Sequence, residues 1–159
     1  MPTLTLVLGD QLFEQHPALN TDSDFIMIES KELCNRLNYH KFKLVYILSC
    51  LREYRHFLES KKKRVHYFTL DQGLNIEQAI QDIVQKFGYT KLQCATVADK
   101  PVRILIKNLA SKLNLAYEEL TSPAFLTSEL EFENYLVESE QSYLMNNFYI
   151  WQRKRLENS

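Results

Sequence analysis

Carboxylate and amide side chains that follow apolar segments are the residues of this chain best placed to bind a polar ligand. They are Asp10 and Gln11 after residues 4–8, Glu29 after residues 25–28, and Asp71 and Gln72 after residues 65–70. Such groups hydrogen-bond hydroxyls and ring nitrogens. If the apolar segments are parallel strands, their carboxyl ends share the sheet edge at which α/β proteins bind ligands. We therefore predict a ligand site there; the alternative is that each acid only caps a loop or helix N-terminus.

The sequence lacks the motifs of several common enzyme classes. Neither GxGxxG nor GxxxxGK[ST] occurs, which disfavours dinucleotide and ATP sites, and Gly-x-Ser-x-Gly is also absent. The histidines have no metal-ligand spacing, and Cys34, Cys50 and Cys94 form no CxxC pair. We predict no catalytic residues and no metal ligands in this chain.

Apolar runs alternate with helical patterns along the chain. Strands are predicted at residues 3–8, 25–28, 65–70, 92–97 and 115–120, and helices at residues 40–60, 75–88, 101–113 and 128–136. This alternation is typical of an α/β, Rossmann-like, doubly wound parallel sheet with helices on both faces. In the helix of residues 40–60, Arg52 and Arg55 are expected to form surface ion pairs.

The composition narrows the class of protein. The formal net charge of −1 gives no general attraction to nucleic acid or to an acidic membrane. Three separated cysteines indicate a reduced cytoplasmic protein, and no apolar run is long enough to span a membrane. DNA contact is expected only through a further domain.

Residues 137–159 differ from the rest of the chain. The segment Tyr143–Trp151 is rich in aromatic residues and is followed by Arg153, Lys154 and Arg155. Dense aromatic surface favours a partner. We predict an α/β domain over residues 1–136 and, after it, a segment that contacts a further domain or a second copy of the chain.

The motif Leu8-Gly9-Asp10-Gln11-Leu12 resembles the opening signature of the prokaryotic photolyase-related proteins. This group is the bacterial cryptochrome and iron–sulfur (6-4) photolyase branch of the photolyase/cryptochrome superfamily. Further matches, in the family's order, are Met27-Ile28-Glu29, Glu32, Tyr39-His40-Lys41, Lys43, Arg52, Val65-His66-Tyr67, Leu70-Asp71, Ala124-Phe125-Leu126-Thr127, Asn147-Phe148-Tyr149, Arg153 and Arg155.

The resemblance implies a specific role for this part of the family's fold. It implies a five-stranded sheet of order 3-2-1-4-5 that binds the antenna chromophore 6,7-dimethyl-8-ribityllumazine at its carboxyl edge. In the family, FAD, the iron–sulfur cluster and most DNA contacts belong to a larger helical domain, which is expected to lie outside this chain. The chain is then expected to be a light-harvesting domain that is not itself catalytic.

The resemblance also implies which residues contact the chromophore. They are Gly9, Asp10, Gln11, Leu12, Glu29, Glu32, His40 and Lys43. The family's Glu-Tyr-Arg segment after strand four is Pro101-Val102-Arg103 here. Two other readings stay open from the residues alone: a stand-alone Rossmann-like nucleotide-binding module, and a protein-interaction module that uses the aromatic segment.

Overall fold

The first unit of the chain, Met1–Ser122, is built on a five-stranded parallel sheet. The computed structural model describes residues 1–139 and 144–157. The strands are β1 (Thr3–Val7), β2 (Asp24–Ile28), β3 (Val65–Phe68), β4 (Lys91–Ala95) and β5 (Ala116–Leu120). Their order is β3-β2-β1-β4-β5, which confirms the predicted sheet and its predicted order.

Strand β1 lies at the centre because it pairs with both β2 and β4. Its Leu6 is opposite Ile26 on one side and Cys94 on the other. The three central strands are buried on both faces, as their apolar sequences predict for a parallel sheet.

Helices cover both faces of the sheet, as predicted. They are α1 (Lys31–Asn35), α2 (Lys41–Ser60), α3 (Ile76–Phe87) and α4 (Lys100–Lys112). Helices α3 and α4 contribute to the core on one face, and α2 contributes to the core on the other. Asn75 and Gln78 form the predicted capping box of α3, and Gly88 ends that helix in the left-handed conformation.

The second unit, Pro123–Ser159, contains two helices among its described residues. They are α5 (Glu129–Glu138) and α6 (Met145–Glu157), joined by a cluster of aromatic rings from Phe132, Tyr135, Phe148 and Trp151. Tyr143, where the predicted aromatic segment begins, lies outside the described residues. The domain boundary predicted after residue 136 stays a prediction. Within the described ranges, no helix combines the length and hydropathy that crossing a membrane requires.

Candidate functional site

A cavity of about 320 Å³ lies at the carboxyl ends of β1, β2 and β4. The chain runs from β1 toward β3 on one side and returns to β4 on the other, so this is the topological switch point of the sheet. Its volume falls within the range of small-molecule sites, about 300–1,000 Å³. We call it the switch-point cavity. It lies at the edge predicted for a ligand site.

The wall of the switch-point cavity is largely apolar, with polar groups among the lining residues. The apolar lining is Leu8, Ile28, Leu33, Leu44, Ile47, Leu48, Leu51, Val97 and Val102. The polar lining is Asp10, Glu29, Ser30, Cys34, Arg36, Tyr39, Lys43 and Asp99. A cavity with a mainly apolar wall and several polar groups suits a small molecule that carries hydrogen-bonding groups.

Glu29 lines the cavity, but protein donors already occupy its carboxylate. Arg52 donates from Nε to Oε1 at 2.7 Å and from Nη2 to Oε2 at 2.9 Å. The Tyr67 hydroxyl donates to Oε1 at 2.6 Å, and the Leu70 amide donates to Oε2 at 2.9 Å. A carboxylate has about four acceptor positions, so little capacity remains for a ligand.

The same contacts hold Glu29 in its charged form. Burial alone would raise its pKa, but the hydrogen bonds from Arg52, Tyr67 and the Leu70 amide lower the pKa to about 2. Arg52 was expected to form a surface pair; its partner is instead the fully buried Glu29, while the arginine side chain itself is 57% exposed. Arg55 does form the expected surface pair, with Glu59. The Glu29 network therefore joins β2, α2, β3 and the turn after β3.

Asp10 and Lys43 are the charged lining residues that remain available to a ligand. Neither has an ion-pair partner within the part of the chain that the structure describes. The Lys43 ammonium lies over the Tyr39 ring, 4.8 Å from its centroid. Both residues line the switch-point cavity. The carboxylate offers an acceptor and the ammonium offers donors to the edge of a ring.

Gln11 is buried and holds the loop after β1 against β4. Its Nε2 donates to the carbonyl of Ala95 at 2.9 Å, and its backbone N–H donates to the carbonyl of Leu8. These bonds fix the position of Gly9 and Asp10 beside the cavity. Gln11 itself is not part of the cavity lining.

The remaining predicted residues lie outside the lining of the switch-point cavity. Leu12 lines a neighbouring groove along α2, of about 430 Å³. Glu32 is exposed on α1, and His40 caps the N-terminus of α2 by accepting a hydrogen bond from the Phe42 amide. Asp71, predicted to share the edge with Asp10 and Glu29, is instead exposed in a 3-10 turn after β3 and does not line the cavity. A contact from Leu12, Glu32 or His40 to a chromophore stays a prediction.

Gly9 permits close packing and does not adopt a backbone conformation that favours glycine. Its φ is not positive, but a Cβ at this position would lie 3.1 Å from Cγ2 of Ile47 on α2. The glycine therefore allows α2 to pack directly on the end of β1.

The ion pair between Arg36 and Asp99 was not predicted from the sequence. Arg36 follows α1, and Asp99 caps the N-terminus of α4 by accepting a hydrogen bond from the Val102 amide. Because 63 residues separate the two, no local motif signals the pair. The hydrogen bond from Arg36 lowers the pKa of Asp99.

No group of three potential metal ligands was found among residues 1–139 and 144–157. Cys34 lines the cavity, and no histidine is among the lining residues. Burial, with a contribution from Glu29, raises the pKa of the Cys34 thiol, which disfavours the reactive thiolate.

Comparison with known proteins relates the chain to a protein family and to a curated protein. The model of the deoxyribodipyrimidine photo-lyase-related protein family matches residues 5–157. A protein of Agrobacterium fabrum named (6-4) photolyase is 24% identical over 166 aligned residues, which cover 98% of this chain and 32% of that protein. The chain thus spans about a third of the length of this relative.

Proposed function

Because the chain belongs to the deoxyribodipyrimidine photo-lyase-related protein family, we propose that it binds an antenna chromophore in the switch-point cavity. The proposed chromophore is 6,7-dimethyl-8-ribityllumazine, and the proposed role is light harvesting for a flavin held by another part of a photolyase-like protein. The match to about a third of a protein named (6-4) photolyase supports a role for this chain as one part of such an assembly.

The observation that carries this proposal is the mainly apolar switch-point cavity, which Asp10 and Lys43 line without an ion-pair partner among the described residues. A bound lumazine would supply light absorption and transfer of excitation energy. The chain's residues would only have to hold the ring and exclude water. Asp10 would accept from ring or ribityl donors, Lys43 would donate to ring carbonyls, and the apolar lining would cover the ring faces.

Glu29 and Gln11 are proposed to position the site rather than to contact the chromophore. The carboxylate of Glu29 already accepts hydrogen bonds from Arg52, Tyr67 and the Leu70 amide. The side-chain amide of Gln11 already donates to the Ala95 carbonyl. Replacing either residue would disturb the sheet edge. Binding tests should therefore use Asp10 and Lys43.

A titration of the chain with 6,7-dimethyl-8-ribityllumazine, followed by absorption and fluorescence, tests the proposal. We expect saturable binding that weakens about ten- to a hundredfold in Asp10→Asn and in Lys43→Met, since a hydrogen bond to a charged group contributes about 1.5–3 kcal/mol. Asp82→Asn is the matched control and should bind like the wild type, because Asp82 is exposed on α3 and is not part of the cavity lining.

Two results would contradict the antenna proposal. One is an absence of saturable lumazine binding in a chain whose circular dichroism shows an intact fold. The other is micromolar binding of AMP or ATP, which would favour the nucleotide-binding module instead.

A protein-interaction role of the second unit is a second candidate, favoured by its exposed apolar side chains. Val137 is 80% exposed, Met145 76%, and Tyr149 61%. Large apolar side chains exposed this far favour contact with another protein surface. We propose that α5 and α6 contact a second copy of this chain or the flavin-binding part of a photolyase-like protein. This role is compatible with chromophore binding.

A further inference from the structure

The connection between α1 and α2, residues 36–40, forms one wall of the switch-point cavity, and we call it the strap. Arg36 and Tyr39 of the strap line the cavity. None of its residues is buried, and Leu37 is 57% exposed. Segments with few buried apolar contacts open at low free-energy cost. The strap is therefore the wall of the cavity least anchored in the core.

One ion pair connects the strap to the opposite side of the cavity. Arg36 binds Asp99, at the N-terminus of α4, and both side chains are about one-third exposed. Within the described residues, this is the only ion pair or side-chain hydrogen bond from the strap to an element other than α1 or α2. The other polar contacts of the strap, at Tyr39 and His40, are to itself or to the first turn of α2.

We propose that the strap is a gate for ligand exchange and that the Arg36–Asp99 ion pair keeps it closed. The pair joins the α1 side of the cavity to the α4 side, so breaking it frees the strap to move away from α4. A partly exposed ion pair is weak and is screened by salt, so opening should be frequent and should depend on ionic strength. This inference deepens the proposed function, and its ligand-exchange readout rests on that function.

Hydrogen exchange of the full chain without ligand tests the gate directly. We expect strap amides to exchange roughly two- to fivefold faster in Arg36→Gln and in Asp99→Asn than in the wild type at low salt, a small factor because such pairs contribute little. High salt should bring the wild type close to the variants. Asparagine still caps a helix, so Asp99→Asn removes the charge and leaves the α4 cap in place.

Arg55→Gln is the matched control, since it breaks the Arg55–Glu59 pair within α2. It should leave strap exchange unchanged. The proposal is overturned if the wild-type strap already exchanges at the rate of an unstructured peptide. It is also overturned if the Arg36 and Asp99 variants show no acceleration, or if Arg55→Gln accelerates the strap equally.

Stopped-flow measurement of 6,7-dimethyl-8-ribityllumazine exchange provides the second readout. In Arg36→Gln and in Asp99→Asn the association and dissociation rates of the lumazine should rise together, and Kd should stay within about twofold of the wild type. A rise in the dissociation rate alone, with a weaker Kd, would show direct contact with the ligand and contradict the gate. If the lumazine does not bind at all, the antenna proposal fails while hydrogen exchange still decides whether the pair closes the strap.

Discussion

At the scale of single residues, Glu29 and His16 show how burial acts on an ionisable group with and without partners that stabilise its charged form. Glu29 is buried and accepts hydrogen bonds from an arginine, a tyrosine hydroxyl and a backbone amide. These hydrogen bonds overcome the burial penalty and lower the pKa of Glu29 to about 2. His16 is equally buried, and its Nδ1 accepts from the Ala18 amide. Burial lowers the pKa of His16 to about 4, so the ring is neutral in the folded state near pH 7.

His16 should make the folded state sensitive to mild acid. Its folded pKa of about 4 lies below the ordinary 6.5. Between these pH values the unfolded chain binds a proton that the folded chain does not. The free energy of unfolding should therefore fall as the pH drops from 6.5 to 4, by up to about 3 kcal/mol. Urea unfolding across this range measures the loss.

The variant His16→Gln should lose this part of the pH dependence. The contribution of Glu29 lies in a different window, since its stabilisation is lost only as the pH falls from 4.5 toward 2. An unchanged slope between pH 6.5 and 5 in His16→Gln would show that His16 is not the group responsible.

At the scale of elements, the packing of α2 on the end of β1 brings Asp10 and Lys43 to one cavity. Gly9 makes this packing possible because Ile47 occupies the space that a larger residue would need. Ile47 also lines the switch-point cavity, as do Leu44, Leu48 and Leu51 of the same helix. A small shift of α2 would therefore change the shape of the cavity as well as the core.

The variant Gly9→Ala should destabilise the first unit by about 1 kcal/mol, as mild overpacking outweighs the lower entropy of the unfolded chain. Adding Ile47→Leu should recover most of the loss, because leucine lacks the Cγ2 methyl that the new Cβ would meet at 3.1 Å. Denaturant unfolding of the two single variants and the double variant gives the coupling energy. Purely additive effects would contradict this account of Gly9.

At the scale of the whole molecule, the two units differ in how completely they bury apolar side chains. The first unit encloses the sheet between helices on both faces. The second unit stacks aromatic rings between α5 and α6 but leaves Val137, Met145 and Tyr149 largely exposed. This difference is the basis for proposing an interaction role for the second unit.

If the partner is a second copy, light scattering of the purified chain should show a concentration-dependent dimer. Met145→Glu combined with Tyr149→Glu should give a monomer, since the contact would bury charge. Phe42→Glu combined with Tyr46→Glu is the matched control, because these α2 residues are also about 70% exposed. Loss of the dimer in the α2 variant alone would place the contact on the first unit, and a monomeric wild type would exclude self-association.

The fold was more predictable from the sequence than the site. Apolar runs and capping signals depend on neighbouring residues, so the five strands and α3 were predicted closely. Helix α1 was missed because five residues are too few to show a helical period. The partners of the site are distant in sequence: Arg52 binds Glu29, Gln11 binds Ala95, and Arg36 binds Asp99. The residue types predicted polar side chains at the carboxyl edge of the sheet. Only the folded arrangement shows which of these side chains are already hydrogen-bonded to other parts of the protein.

The central position of β1 has a consequence for synthesis on the ribosome. Strand β1 leaves the exit tunnel before β4, which it needs to complete its pairing, and the hydrogen bond between Gln93 and Thr5 spans 88 residues. Until β4 emerges, one edge of an apolar strand has no partner, and such edges promote aggregation during slow, non-local folding. The nascent chain therefore passes through a vulnerable interval, and slower translation between β2 and β4 would lengthen it and increase the need for chaperones.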